Sequence, residues 1–234
     1  MASSDRSADV ADFFSQRATD YESQARRGLP RRDEMLGELV RCLPADAHDV
    51  LELGCGAGAL TLMLADRYPE ARLTAVDASP EMLKVARGRL EASVAGAGER
   101  VRFVESHFER FDAGAAGFDL VTASMSLHHV ADKAPLYRRL HAALRPGGYL
   151  IFADELTGAV EHVARLHRED WLAFAAQPGR LTSEEIEATL AHERDFDHYE
   201  TLPRQLELLR EAGFAAVDCA WRYWNYAVFA AARS

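Results

Sequence analysis

The chain has 234 residues, a formal net charge of −10, 48% hydrophobic residues and 27% charged ones. That size predicts one domain with an ordinary buried core. No apolar run approaches the ~20 residues of a membrane span, and MASSDRSADVADFF carries early acids with no apolar stretch of a secretory signal. Cys42, Cys55 and Cys219 are odd in number and lack metal-ligand spacing, so neither a disulfide framework nor a zinc site is expected, and a reducing, cytoplasmic setting is. The acidic balance disfavours nucleic acid, a polyanion. Arg26, Arg27, Arg31 and Arg32 in ARRGLPRRD form a local exception. They read as a solvated loop and helix start, with a basic patch for RNA as the alternative.

In chain order, residues 8–48 read as helices. DVLEL is a strand that runs into a glycine cluster, followed by LTLMLADRY with helical spacing. RLTAVD is a second strand. Ser79 is a good N-cap, Pro80 suits the first helical turn, and PEMLKVARGRLEA continues as a helix. RVRFVES and FDLVTASMS are the third and fourth strands. Asp132 caps APLYRRLHAAL, with Leu136, Leu140 and Leu144 on one face, ahead of an RPGG stop and the fifth strand GYLIFADE. Residues 156–200 break the alternation and read as a helical lid, with Thr182 or Ser183 and Glu185 resembling a capping box. LPRQLELLREAGF is a closing helix. AAVDCAWR and YWNYAVFAA are too close in sequence for a parallel crossover and form an antiparallel pair.

The pattern predicts an α/β fold: a Rossmann-like, doubly wound, seven-stranded sheet, mostly parallel with the antiparallel C-terminal pair. It forms a single domain, 1–234, divided into N-terminal helices (8–48), a ligand-binding core (49–155), a helical lid after strand five (156–200) and a closing helix with strands (201–234).

The segment VLELGCGAGALTLMLA carries the first chemical signal. A strand enters Gly54-Cys55-Gly56-Ala57-Gly58 and leaves as a helix. Glycines tolerate positive φ and allow close backbone approach of a ligand. Asp77 ends the second strand, where an acid can accept from ribose hydroxyls. Such a loop serves NAD, FAD or a methyl-donor nucleoside. Two features separate these. The spacing is G-x-G-x-G rather than G-x-G-x-x-G, and Glu52 stands two residues before the loop. A carboxylate there repels a diphosphate but suits a cation, and S-adenosylmethionine carries a sulfonium and an ammonium without phosphate.

ELGCGAG resembles motif I of the class I S-adenosylmethionine-dependent methyltransferases. VDASPEML, FDLVTASMSLHHV and LRPGGYLIFADE resemble their next motifs in the same order, over about residues 45–155. The N-terminal ATDYESQARRGLPRR and the tail resemble, more loosely, the wobble-uridine and generic small-molecule members. The resemblance implies that Glu52, Gly54, Cys55 and Gly56 contact the methionine part of the cofactor. It implies that Asp77 holds the ribose, that Ala78 and Met82 border the adenine, and that Ser124 offers its carbonyl to the ammonium. Where the family has an adenine-binding Asp, this chain has His107, with the Phe108 backbone as the alternative contact. Tyr21 is similar to a tyrosine that covers the cofactor, or else packs within the N-terminal helices.

The resemblance also marks His128, in Leu127-His128-His129, as the catalytic residue; a structural histidine at the turn is the other reading. A metal is not expected. Magnesium wants oxygen ligands, and strand four offers imidazoles. Asp154 and Glu155 are expected to line the acceptor site, and Trp221, Tyr223, Trp224 and Tyr226 to pack in the closing strands. His162, His167, His192 and His198 show no ligand spacing and are expected on a solvated helix face. The leading functional expectation is methyl transfer to a small-molecule O or N acceptor, releasing S-adenosylhomocysteine. The alternatives are a tRNA-modifying methyltransferase and a cofactor-binding protein that is not a methyltransferase: a cyclase, a cofactor-modifying enzyme or a sensor. A homodimer is compatible with the sequence.

Overall fold

The computed structural model describes residues 2–94, 96–108 and 110–234, with the side chains of residues 2–8 outside the description. Helices α1 (Ala2–Ser15), α2 (Tyr21–Gly28) and α3 (Arg32–Cys42) lead in, so the helical start lies earlier than residue 8. The alternating segment forms β1 (Asp49–Leu53), α4 (Ala59–Arg67), β2 (Arg72–Asp77), α5 (Pro80–Ser93), β3 (Val101–Glu105), β4 (Phe118–Ser124), α6 (Lys133–Ala143) and β5 (Leu144–Thr157). The lid is α7 (Glu161–Ala175) and α8 (Ser183–Phe196). It is followed by β6 (Glu200–Thr201), α9 (Leu202–Glu211), β7 (Ala216–Tyr223) and β8 (Tyr226–Ala232). Strand β5 is longer than expected. It takes in Leu144, which the helical spacing had given to α6, and it runs past residue 155 into the segment read as lid.

The long strands lie in the order β3-β2-β1-β4-β5-β8-β7. Strands β1 to β5 pair in parallel, and β8 runs antiparallel to both β5 and β7. The expected seven strands are joined by the two-residue β6, which pairs with β5 at Leu156 and Thr157. From β1 the chain winds outward through β2 and β3, then returns to add β4 and β5 on the other side. The crevice beyond the carboxyl ends of β1 and β4 is therefore the switch point where sheets of this kind bind ligands.

Alternate residues of each strand face opposite sides of the sheet. Val50, Leu73, Leu120 and Ile151 join one buried cluster with Met35, Leu39, Leu60 and Leu64. Leu51, Val76, Val121 and Phe152 join the other with Leu136, Tyr137, Leu140 and Phe229. Helices cover both faces, which is why the strands read as unbroken apolar runs. The helix starts are set locally. Ser79 accepts from the Met82 amide with Pro80 in the first turn, Asp132 accepts from Ala134, and Thr182 with Glu185 forms a complete capping box.

Candidate active site

The turn after β1 passes through Gly54, Gly56 and Gly58, all with positive φ. At Gly54 (φ 65°) a Cβ would stand 2.4 Å from Ser126 Cβ, so the turn after β4 can close over the loop only because no side chain is there. The loop is held to β2 by Asp77, which accepts from the Gly56 amide (2.8 Å) and the Ser79 amide (2.9 Å). Burial pushes the Asp77 carboxyl above its ordinary range, against those amide hydrogen bonds. Glu52 is 2% exposed and accepts from Thr61 Oγ1 at 2.6 Å. Burial, reinforced by the charge of Asp77, pushes its carboxyl up to about 8. A buried acid of this kind has a strong call for a cation.

These groups border a cleft of about 1090 Å³, its open mouth included. The cleft gathers every residue the sequence assigned to the cofactor. Tyr21 comes from α2, and Glu52, Gly54, Cys55 and Gly56 from the β1 turn. Asp77, Ala78 and Met82 come from the end of β2 and the start of α5, His107 and Phe108 from the segment after β3, and Ser124 from the end of β4. Burial pushes the Tyr21 phenol up to about 12, so it stays neutral. The charged residue Arg32 was not assigned to the cofactor from sequence. It is 8% exposed, lines the cleft and is held by Glu22 at 2.9 Å. The same cleft thus offers a buried guanidinium and a buried carboxyl, the complement of an amino-acid zwitterion.

A second cavity of about 790 Å³, its open mouth included, adjoins the first, with Phe14, Tyr21, Met125 and His129 lining both. Its far walls are Trp171 from α7, His192 and Glu193 from α8, and Asp197 and Tyr199 from the lid's return. The lid is fixed over it. Trp171 Nε1 donates to the Gly28 carbonyl (3.1 Å), and Arg27 forks onto both oxygens of Glu185 (2.6 and 3.0 Å). The return strand is sewn to the turn after β4. The His198 amide donates to the His128 carbonyl, and the buried Lys133 ammonium donates to the carbonyls of Val130 and His198.

That stitching brings Asp197 against the two histidines. His128 Nδ1 donates to Asp154 at 2.6 Å, and His129 Nδ1 to Asp197 at 2.8 Å. His128 lines the second cavity rather than the cofactor cleft, as does Glu155. Asp154 instead sits behind His128. Burial alone would depress the His128 imidazole, but the Asp154 carboxylate overrides it and holds it at about 9. Burial opposes the Asp197 charge, yet the His129 hydrogen bond and the neighbouring imidazoles keep its carboxyl down at about 2. Burial, with Glu193 and Asp197 nearby, pushes Glu155 up to about 8 despite His128.

The solvated-face expectation fails for His192. It is 8% exposed and stacks on Phe13 with ring centroids 4.2 Å apart. Burial brings its imidazole down to about 4, so it is neutral. His167 bonds Asn225, and His162 bonds Arg165 on the surface. Of the closing-strand aromatics, Tyr226 lines the second cavity, while Trp221 reaches Glu34 and Tyr223 lies under Arg31. Each arginine of the cluster has an acidic partner: Arg27 with Glu185 and the buried Arg32 with Glu22, while Arg26 with Glu22 and Arg31 with Glu34 pair at the exposed surface. Among the described residues no helix is long and apolar enough to cross a membrane.

Comparison with known proteins agrees with this geometry. A methyltransferase-domain family matches residues 50–148. A carboxy-S-adenosyl-L-methionine synthase of Chromohalobacter salexigens is 32% identical over 213 residues, 88% of this chain and 77% of that protein. A trans-aconitate 2-methyltransferase of Azoarcus sp. is 38% identical over 112 residues, 48% of this chain and 41% of that protein. A Haemonchus contortus N-methyltransferase, solved with phosphomonomethylethanolamine and S-adenosylhomocysteine, shares the fold with a TM-score of 0.63 and 17% identity, over 86% of this chain and 52% of that one.

Proposed function

The chain belongs to the class I S-adenosylmethionine-dependent methyltransferase family, and from that premise we propose that it methylates an oxygen or nitrogen of a small, uncharged or cationic molecule held in the second cavity. One observation carries this reading: the cavity meets the cleft at Phe14, Tyr21, Met125 and His129 and is walled elsewhere by α1, α2 and the lid. Asp197, whose carboxyl is held down at about 2, keeps a negative charge in that cavity, which favours an uncharged or cationic acceptor. The ion-paired arginines weigh against tRNA. The free cysteines fit a reducing cytoplasm.

Bound in the cleft, S-adenosylmethionine supplies an electrophilic methyl on a cationic sulfur. The protein's own part is to orient and to exclude water. Glu52 takes the ammonium, Arg32 the carboxylate and Asp77 the ribose hydroxyls, while Ala78, Met82 and Phe108 border the base. Tyr21 and Met125 stand between the two chambers. Holding the acceptor in line is worth roughly 7–11 kcal/mol. His128 stands at the wall of the second cavity, and with Asp154 holding its imidazole protonated up to about 9 it orients the acceptor as a hydrogen-bond donor. The test is a methyl-labelled donor offered with panels of amines, phenols and alcohols, polycarboxylic acids, and tRNA. Label in the first panel is expected. Label confined to polycarboxylates or to tRNA would overturn the reading.

The similarity to a carboxy-S-adenosyl-L-methionine synthase, over 88% of this chain and 77% of that protein, favours a second reading, in which the cofactor itself is modified. Mass spectrometry separates the two: methyl transfer leaves S-adenosylhomocysteine, whereas modification leaves a heavier, carboxylated nucleoside.

A further inference from the structure

We propose that His128, His129, His192 and Asp197 form a binding site for a divalent transition-metal ion of the zinc type in the wall of the second cavity. Three imidazoles converge on one carboxylate oxygen. Asp197 Oδ1 lies 2.8 Å from His129 Nδ1, 3.6 Å from His192 Nε2 and 4.0 Å from His128 Nε2. Ligand atoms of His128, His129 and Asp197 all lie within 4.8 Å of one another. Tetrahedral ligands about 2.0–2.2 Å from an ion are separated by roughly 3.3 Å; His128, His129 and Asp197 are mutually close to that spacing, and His192 joins them through its 3.6 Å approach to Asp197.

Two further observations point to a ligand. Among the described residues both ring nitrogens of His192 are buried without a hydrogen-bond partner, a state that costs about 1–3 kcal/mol unless something fills it. The ligands are also already oriented from behind. Asp154 holds His128 Nδ1 and leaves Nε2 facing Asp197, and Tyr199 donates to Asp197 Oδ2 at 2.7 Å and leaves Oδ1 facing the imidazoles. Carboxylate–imidazole pairs of this kind are the usual outer support of a metal site. A set of three nitrogens and one oxygen suits zinc, cobalt, nickel or iron rather than magnesium or calcium. The neighbouring Glu155 and Glu193 complement a double positive charge. If the second cavity is the acceptor chamber, as proposed above, an acceptor's oxygen or nitrogen would join as a fifth ligand, and His128 would act on it through the metal. That extension rests on the acceptor reading; the metal site itself does not.

The test is a titration of chelator-treated full-length protein with Co(II), followed by visible absorption, with S-adenosylhomocysteine binding as the control for an intact fold. Wild type should take up one equivalent and develop the absorption bands of nitrogen-ligated Co(II). His192→Phe keeps the stack on Phe13 and should weaken uptake at least tenfold. Asp154→Asn, which only disturbs the support of His128, should weaken it by roughly 10–100-fold. Wild-type protein that binds S-adenosylhomocysteine but takes up no Co(II) overturns the proposal, as does unchanged Co(II) affinity in His192→Phe. Neither result depends on finding the acceptor.

Discussion

Glu52 ties the acidity of the cofactor cleft to its ligand, and Glu52→Gln tests the link. Moving its carboxyl from an ordinary 4.5 to about 8 corresponds to roughly 5 kcal/mol of bias against the ionised form. The sign follows from linkage. The folded value is raised, so its stabilising contribution is complete below pH 4.5 and is lost as pH rises through about 8, at up to about 1.4 kcal/mol per pH unit. A cation bound against Glu52 reverses the bias. Binding of S-adenosylhomocysteine near pH 7 should therefore expel about 0.9 of a proton from this group. Affinity should rise with pH, approaching tenfold per unit, until it levels near 8. Calorimetry between pH 6 and 8, in buffers of different ionisation enthalpy, measures both quantities. Glu52→Gln should abolish most of the proton release and flatten the pH dependence. It should also weaken binding at pH 8 by about 1.5–3 kcal/mol, the range of a hydrogen bond to a charged group, while the empty variant melts higher than wild type there. Wild-type binding without proton release, or a variant that binds as tightly as wild type at pH 8, would refute the reasoning.

Gly54→Ala should cost about 2–5 kcal/mol in denaturant unfolding, since it adds left-handed strain to overpacking against Ser126; a change below about 1 kcal/mol would show that the turn after β4 moves aside freely. Asp77→Ala should weaken S-adenosylhomocysteine by about 1–3 kcal/mol by leaving ribose hydroxyls and the Gly56 and Ser79 amides without their acceptor, and calorimetry reads it directly. Arg32→Met should weaken S-adenosylhomocysteine by a similar amount and leave adenosine binding unchanged; equal losses for both ligands would make Arg32 a packing residue. His128→Ala should retain cofactor binding and lose turnover, because His128 borders the second cavity and not the cleft; full activity would reduce it to a buried structural group.

The cofactor cleft was legible because its residues sit on turns that follow strands, where a few consecutive positions settle both conformation and ligand. Gly54 and Asp77 need no distant partner to be recognised. The helix starts at Ser79, Asp132 and Thr182 are local for the same reason. Arg32 was hidden because its role comes from how α2 and α3 fold over the β1 turn, and in sequence it is one arginine among four. His192 was hidden for a deeper reason. The apolar stripe of α8 is Ile186 and Leu190, which pack against the core, and periodicity does not put His192 on it, yet His192 is the one buried residue of that helix among those described. Its partners lie some 60 positions earlier in His128 and His129, and just past the helix in Asp197. What joins them is not a motif but the return of the lid: Lys133 holding two carbonyls, the His198 amide on His128, and β6 pairing with β5. The two chambers are therefore built differently. The cleft depends on turns that the sheet itself imposes, whereas the second cavity depends on residues 183–201 lying across the sheet. Substitutions in that return can remodel the second cavity while the sheet and the β1 turn stay intact, so on the reading proposed above acceptor choice can change without loss of cofactor binding.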